Sequence, residues 1–279
     1  MNLIAKMLLI FAIAQLLGVF VGSVILQDMD KNPMVSGLVM TTDANEPLNA
    51  VFFIGYILAG ALVMILLIRL LKAYELIFRA LEFVLISTSS SIVFYAFLRF
   101  FMGYEASTIA AIIAALCFSA ARSFLPPVKN LAAVLATAGV GTIFGISMGM
   151  LPLLLFLIML SVYDFLSVFA TKHMVEMADF IVRNDLAFTV TARAPPARPG
   201  GKESRIDLGT GDMIAPIMLE VSAFAFNPLA SAFIFVGAVV SMALFLTLVW
   251  KKRMVLPALP PIVLGMITGL LLGFLLGLY

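Results

Sequence analysis

Three acidic residues lie within stretches of the sequence that are otherwise apolar. Asp164 follows a run from Asn130 to Tyr163 without any charged residue, and Asp212 and Glu220 lie in the apolar segment after Arg205. An ionisable side chain inside a membrane-spanning segment is costly and is therefore a candidate for function. Two carboxyl groups held together can act on water and a peptide carbonyl, one as a base and the other as an acid. The same pair could instead relay protons or cations.

The composition indicates that these residues lie in a membrane protein. Of the 279 residues, 63% are hydrophobic and only 11% are charged, and the mean hydropathy is +1.17. Soluble domains are about half apolar and about a quarter charged, because their interiors are too small to hide more apolar side chains. The net charge of +2 does not indicate a nucleic-acid partner. A single Cys and a single His exclude a Cys/His zinc site.

Long apolar runs predict nine transmembrane helices in an all-α bundle. Each run is continuous and about 20 residues long, whereas the strands of a barrel alternate. The longest uncharged run is divided because Gly145, Gly149 and Pro152 mark a break. The first run is longer than the apolar part of a cleaved leader. The predicted helices are Leu3–Leu26, Leu48–Leu70, Ala80–Phe100, Ala106–Ala121, Val128–Ile146, Leu151–Thr171, Asp207–Phe226, Pro228–Trp250 and Leu256–Tyr279.

The Lys and Arg residues place the N-terminus in the cytoplasm and the C-terminus outside. With nine spans, Lys31 and Arg99 are the only two of the 17 Lys and Arg residues on the outer side. Cytoplasmic loops collect these residues, so the bias supports both the orientation and the number of spans. The chain is thus predicted to be a multi-pass integral membrane protein.

The predicted helices divide the chain into three parts. A six-helix part covers residues 1–171, a cytoplasmic loop covers 172–206, and a three-helix part covers 207–279. Within the loop, Val175–Leu186 is predicted to form a short helix. Thr191–Ser204 is predicted to be disordered, because it is rich in Pro and Gly.

Glycines recur every four residues in two of the predicted helices. Such rows allow the backbones of neighbouring helices to approach closely in lipid. We therefore interpret them as packing surfaces without a chemical role. They are Gly141, Gly145 and Gly149 at the end of the fifth helix, and Gly265, Gly269, Gly273 and Gly277 in the ninth.

Asp164 and Asp212 are predicted to lie at one depth in the membrane. Asp164 is eight residues before Lys172 at the inner edge of its helix, and Asp212 is seven residues after Arg205. At a rise of 1.5 Å per residue, these positions are about 12 Å and about 10 Å below the inner surface. Consecutive antiparallel helices are usually neighbours, so the two carboxyl groups form a pair. Repulsion and desolvation oppose double ionisation, so the pair would share a proton near neutral pH.

Short motifs accompany the two acids and the ninth helix. Tyr163 precedes Asp164, Gly209-Thr210-Gly211-Asp212 is a GxGD motif, and Pro257-Ala258-Leu259 opens the ninth helix. In this order and topology they resemble the presenilin and signal peptide peptidase family of intramembrane proteases, which usually has leucine where Thr210 stands. The resemblance implies that Asp164 and Asp212 are the catalytic pair. It also implies that Pro257-Ala258-Leu259 helps to shape the active site.

The residues around the pair have a physical interpretation of their own. Gly209 and Gly211 would allow a substrate strand to approach the second acid, and Pro257 would fix the bend before the ninth helix. Tyr163 could hydrogen-bond near the pair or simply pack. We hypothesise that Arg205–Leu208 offers a strand edge to an unwound substrate, the alternative being an ordinary entry into the helix.

The resemblance implies an aspartic endopeptidase of the GxGD type that needs neither metal nor cofactor. Signal peptide peptidases have the opposite orientation, so the chain resembles presenilins and would cut transmembrane substrates whose N-terminus is outside. The short N-terminus and compact loop suggest a homologue in a microbial cell membrane, and no obligatory partner subunit is evident. A proton- or cation-coupled transporter or leak channel that uses the same acids is one alternative. A prepilin-peptidase-like protease is another, but it would lack Pro257-Ala258-Leu259.

Overall fold

A computed structural model describes residues 3–70, 74–171, 181, 185–194, 204–252 and 256–279. These residues form the predicted all-α fold, with nine long helices and one small pair of strands. The helices are α1 (Leu3–Asp28), α2 (Leu48–Leu70), α3 (Tyr74–Leu98), α4 (Tyr104–Phe124), α5 (Lys129–Ser147), α6 (Met150–Leu166), α7 (Thr210–Phe226), α8 (Pro228–Lys252) and α9 (Leu259–Leu275). The strands are β1 (Thr189–Ala194) and β2 (Ser204–Gly209), which pair antiparallel.

The break in the long uncharged run lies where the sequence predicts it. Met148 has an extended backbone (φ −126°, ψ 133°), and Gly149 immediately precedes α6. Pro152 lies in the first turn of α6, where its missing N–H removes no helical hydrogen bond. The run therefore folds as two helices, α5 and α6, and Ser167–Thr171 continues α6 as a wider helical turn.

Two predictions about the loop between α6 and α7 are wrong. Thr191–Ala194 and Ser204 were predicted to be disordered, but they lie in β1 and β2. The seventh helix was predicted to begin near Asp207, but α7 begins at Thr210 because β2 extends to Gly209. The short helix predicted for Val175–Leu186 lies mostly outside the described residues.

The lengths and hydropathies of the helices bear on the predicted number of spans. Seven described helices (α1–α6 and α8) are long and apolar enough to cross a membrane. The described part of α9 is apolar but shorter, at 17 residues, and α7 also has 17 residues. The nine-span count and the orientation of the chain therefore remain predictions.

Helix α7 lies at the centre of the bundle. It packs against α1, α5, α6, α8 and α9, and most of its residues from Met213 to Ala223 are buried. Glycines allow α5 to come close, because a Cβ on Gly145 would lie 2.7 Å from the carbonyl oxygen of Met218. Helix α2, in contrast, packs chiefly against α6, and its surface is largely exposed. Asp212 and Glu220 thus lie on a central and largely buried helix.

The two strands cover one end of the bundle. They contact α1 and α5, and β2 leads directly into α7. Val190, Ala192 and Leu208 are buried on the face toward the helices, whereas Arg193 and Arg205 are exposed on the other face. This alternation is the pattern of strands with one buried face.

Candidate active site

Asp164 lies in the last turn of α6. Its side chain is only 7% exposed, and its Oδ2 atom has no hydrogen-bond partner among the described residues. The hydroxyl group of Ser167 donates to the backbone carbonyl of Asp164 at 2.9 Å, at the start of the wider turn. Tyr163 is partly buried beside it. A buried carboxyl oxygen without a partner is a group that a substrate or water can bind.

Asp212 lies in the first turn of α7, three residues after β2 ends. Gly209 is the last residue of β2 and precedes the helix with an extended backbone (φ −63°, ψ 141°). A Cβ at Gly209 would lie 3.3 Å from Oδ2 of Asp212, so any side chain there would crowd the carboxyl group. At Gly211, which is exposed, a Cβ would meet nothing within 4 Å. The GxGD sequence thus leaves both sides of the second acid accessible.

Thr210, the second residue of the GxGD motif, anchors the turn into α7. Its backbone N–H and its hydroxyl group both donate to the carbonyl oxygen of Phe188, at 3.0 Å and 3.1 Å. Phe188 directly precedes β1, so these bonds fix the start of α7 to the start of the hairpin. Leucine could make only the first of the two bonds, because it has no hydroxyl group.

The structure brings the three sequence motifs together. The carboxyl groups of Asp164 and Asp212 are close enough for a Coulombic interaction. The backbone N–H of Leu259 interacts with the carboxyl group of Asp164. Pro257, Ala258 and Leu259 are all buried just before and at the start of α9. The C-terminal end of α6 and the N-terminal ends of α7 and α9 therefore meet around one pair of acids.

Pro216 is a feature of this site that the sequence analysis missed. It lies inside α7, four residues after Asp212. Proline has no N–H, so the backbone carbonyl of Asp212 cannot receive the usual helical hydrogen bond from that position. The first turn of α7 thus has an acceptor available beside the acid. A proline four residues after the GxGD acid was visible in the sequence and was the signal that could have revealed it.

Asn130 at the start of α5 is a second residue that the sequence did not reveal. Its side-chain amide donates to the carbonyl oxygen of Thr191 at 2.8 Å and accepts from the N–H of Thr191 at 3.0 Å. Asn130 therefore takes the place of a neighbouring strand on one edge of β1. No local pattern indicates this role, because the partners are 61 positions apart.

The register of the hairpin determines which backbone groups of β2 remain free. Thr191 pairs with Asp207, but both backbone groups of Thr191 bond to Asn130 instead of β2. This is therefore a non-hydrogen-bonded pair, and pairs alternate along an antiparallel ladder. The N–H and C=O groups of Arg205, Asp207 and Gly209 point away from β1 and bond to none of the described residues outside α7. We call this the free edge of β2, and it leads directly to Asp212.

A buried cluster of charges holds the segment that precedes β1. Arg122 of α4 lies 3.2 Å from Oε1 of Glu82 of α3, and that oxygen also accepts from the N–H of Ala187 at 2.9 Å. Arg122 also donates to the carbonyl oxygen of Asp185, and Lys129 lies 3.1 Å from the Asp185 carboxylate. Buried charges are stable only when paired in this way. The cluster therefore fixes the start of the hairpin to three helices.

Glu220 lies apart from these motifs. It is fully buried in α7, and neither of its carboxyl oxygens has a hydrogen-bond partner among the described residues. It follows Asp212 by eight residues, which places it about 12 Å farther along the helix. Within the described part of the chain, no three His, Cys, Asp or Glu residues converge as metal ligands.

Comparison with known proteins gives the chain a family context. The family described as signal-peptide peptidase, presenilin aspartyl protease matches residues 8–278. Two crystal structures of a presenilin family intramembrane aspartate protease are similar to the chain. One, in space group C222, has 26% sequence identity and a TM-score of 0.67, over 98% of this chain and 97% of that one. The other, in space group P2, has 30% identity and a TM-score of 0.65, over 94% of this chain and 96% of that one. No curated protein matches the chain significantly.

Proposed function

This chain belongs to the signal-peptide peptidase and presenilin family of aspartyl proteases, and on that basis we propose that Asp164 and Asp212 are its catalytic pair. It is a multi-pass integral membrane protein and an intramembrane aspartyl protease of that family. The proposed reaction is hydrolysis of a peptide bond within or near a transmembrane helix. Its substrates would be membrane proteins whose N-terminus is outside.

The observation that carries this proposal is the meeting of three separate motifs at one point. Asp164 and Asp212 come from different helices and interact electrostatically, and the N–H of Leu259 reaches Asp164. Among the described residues, no Lys or Arg forms an ion pair with either acid. Two carboxyl groups without a counter-charge favour a state in which they share one proton.

The shared proton allows both halves of the hydrolysis. The ionised carboxylate accepts a proton from water as the water oxygen attacks the carbonyl carbon of the substrate. The neutral carboxylic acid donates its proton to the carbonyl oxygen, which gives a tetrahedral diol. When the diol collapses, the C–N bond breaks and the carboxyl group that took the proton from water donates it to the leaving nitrogen. The other carboxylate accepts a proton from a diol hydroxyl group, so the pair again shares one proton. No metal or cofactor is needed for these steps.

The free edge of β2 offers a place for the unwound substrate. A peptide bond inside a helix is protected by its own hydrogen bonds, so the segment must be extended before it is cut. An extended segment can pair with the outward N–H and C=O groups of Arg205, Asp207 and Gly209. Since β2 continues into α7, such a segment would run toward Asp212. The three parts of the chain then have distinct roles: residues 1–171 supply Asp164, 172–206 include most of the hairpin, and 207–279 supply Asp212 and Leu259.

The test is cleavage of a purified single-span substrate in detergent. We expect Asp164→Asn and Asp212→Asn to abolish cleavage while the helical content and melting temperature are retained. Glu220→Gln is the matched control, because it neutralises another buried acid on α7, and it should still cleave. Cleavage that survives in both Asp variants would overturn the proposal. None of the comparisons supports transport by these acids. Ion flux through the protein in liposomes, abolished by either Asp variant, would favour the transporter.

A further inference from the structure

The exposed face of the hairpin carries two basic residues. Arg193 and Arg205 lie directly opposite each other on β1 and β2, and both are exposed. Asp207 is the only carboxylate on this face of the two strands, and it lies 3.1 Å from Arg205. We call Arg193 and Arg205 the basic patch.

The arrangement of the two arginines is unfavourable without a partner. The pair Arg193–Arg205 lies two positions along the ladder from Thr191–Asp207, so it is a non-hydrogen-bonded pair as well. The side chains are closest in pairs of this type. Like charges directly opposite each other destabilise a sheet. Asp207 offsets only part of this repulsion, because its single negative charge is paired with Arg205 and stands against two positive charges. The patch therefore has a surplus of positive charge.

The free edge of β2 places this surplus beside the proposed path of the substrate. A third strand on that edge would place one of its side chains directly beside Arg205, so that Arg193, Arg205 and the added side chain form a row across the sheet. An acidic side chain at that position would bind the Arg205 guanidinium with charge-assisted hydrogen bonds and reduce its repulsion with Arg193. A lysine there would add a third like charge to the row.

We propose that the basic patch selects substrates with an acidic residue on the cytoplasmic side of the scissile bond. This inference rests on the proposed function, in which the substrate pairs with β2. Arg205 is four residues before Gly209, or about 13 Å along an extended strand. The acidic residue should therefore lie about four to six residues beyond the bond that is cut.

The orientation of the hairpin favours a peptide over lipid headgroups as the partner. The opposite face of the hairpin packs on the end of the bundle through Val190, Ala192 and Leu208. The basic face is therefore turned away from the helices, whereas headgroups surround the sides of a membrane protein. Arg205 also lies on the strand that would pair with the substrate.

The experiment compares three versions of one single-span substrate in detergent, with Asp, Asn or Lys at the positions four to six residues after the scissile bond. We expect the KM of the Asp version to be about three- to fivefold lower than that of the Asn version, the size expected for exposed ion pairs. The kcat should be similar. Arg193→Gln combined with Arg205→Gln should remove the preference, and Arg205→Glu should reverse it toward Lys. Lys251→Gln, an exposed cation at the end of α8, is the control and should keep it.

The possible outcomes separate this inference from the proposed function. Equal KM values for the three substrates, with normal cleavage, would overturn the acidic selection and leave the protease intact. Arg variants that raise KM equally for all three substrates, and only in micelles with anionic lipid, would assign the patch to lipid and also overturn it. If no substrate is cut, the affinities of fluorescent Asp and Asn substrates for the Asp212→Asn variant test the selection directly. Equal affinities would refute the selection, and tighter binding of the Asp version would uphold it while the proposed reaction fails.

Discussion

Asn130 binds both backbone groups of Thr191, so one side chain at the start of α5 does what a third strand would do for β1. The bonds leave β1 held on both edges, by Asn130 and by β2. The free edge of the sheet is consequently that of β2, the strand that leads to Asp212. The position of the second acid thus depends on a residue of another helix.

Asn130→Ala should lower kcat by about 10- to 100-fold, because a small displacement of the hairpin moves Asp212 relative to Asp164. Asn130→Asp should have a similar effect, since its carboxylate would face the carbonyl oxygen of Thr191 without a proton to donate. The measurement is steady-state cleavage of the single-span substrate, with the melting temperature recorded for each variant.

Asn227→Ala provides the control for the loss of stability in that comparison. Its side chain accepts from the N–H of Leu229 at 2.8 Å at the opposite end of α7, so its removal costs a helix cap, or about 1 kcal/mol. We expect this variant to lose stability and keep its kcat. If Asn130→Ala behaves in the same way, Asn130 only stabilises the fold.

Asp207→Pro should raise the KM of the substrate by more than tenfold with little loss of folding. Proline removes the N–H of Asp207, which points to the free edge, and leaves the bonds between β1 and β2 in place. Asp207→Asn is the matched control, because it keeps the N–H and the bond with Thr191 but removes the charge. Ile206→Pro should instead disrupt the hairpin, since its N–H points to β1. Equal KM values for Asp207→Pro and Asp207→Asn would argue against pairing of the substrate at this edge.

Pro216→Ala should stabilise α7 and lower the activity. Alanine restores the N–H that can bond to the carbonyl of Asp212 and removes the steric conflict of the ring, for a gain of about 1–3 kcal/mol. The carbonyl of Asp212 would then be occupied by a helical hydrogen bond, and kcat should decrease. Pro228→Ala is the control, because Pro228 is the first residue of α8, where an N–H is not needed. A stabilised Pro216→Ala variant with unchanged kcat would show that the unbonded carbonyl of Asp212 has no role in cleavage.

The hairpin shows where prediction from the sequence stops. The helices and the two acids follow from local patterns, namely long apolar runs, isolated charges and a GxGD motif. The strands have no such pattern, because only Thr189, Val190, Ala192 and Leu208 are buried in them, and a helix bundle must already exist to bury these residues. Thr191–Ser204 is rich in Pro and Gly, and this composition predicts disorder more strongly than a few alternating apolar residues predict a strand. The catalytic assignment of Asp164 and Asp212 is itself still a prediction, although the structure brings the two together.

The charged cluster before β1 was missed for a related reason. Glu82, Arg122 and Lys129 lie at the predicted ends of helices, where charged residues are common and usually solvated. Nothing local indicates that Glu82 would accept from Ala187, which is 105 positions away. Contacts of this kind are decided by the packing of α3, α4 and α5, and a single sequence does not reveal that packing.

Glu82→Gln should destabilise the protein by about 3–5 kcal/mol, because it leaves Arg122 buried without its counter-charge. Asp185→Asn is the control, since the Asp185 side chain is 47% exposed and its backbone (φ 51°) suits asparagine. Its pair with Lys129 joins a half-exposed carboxylate to a buried ammonium group, and water can reach the pair from the side of Asp185, so its loss should cost less than the loss of Glu82. Thermal unfolding in detergent measures both effects. Equal losses in the two variants would mean that Glu82 does not hold the cluster together.

Gly265→Ala should lower the melting temperature, because α8 and α9 touch at that point. A Cβ on Gly265 would lie 2.5 Å from the carbonyl oxygen of Gly237, so the helices would have to separate. Such overpacking costs about 1–3 kcal/mol. Gly60→Ala on α2 is the control, since a Cβ there meets nothing within 4 Å. It should raise stability by a few tenths to about 1 kcal/mol. A neutral Gly265→Ala would mean that the two helices can move apart at no cost.

The free edge of β2 also bears on how copies of this protein coexist in one membrane. An unpaired strand edge is a template for any extended chain, including the same strand of a second molecule. Two such edges joined antiparallel with the two Arg205 side chains opposite each other would place like charges side by side, which disfavours that register. A register with Arg205 opposite the Asp207 of the other copy would pair opposite charges instead. The charges on the hairpin would therefore decide in which register two copies could join.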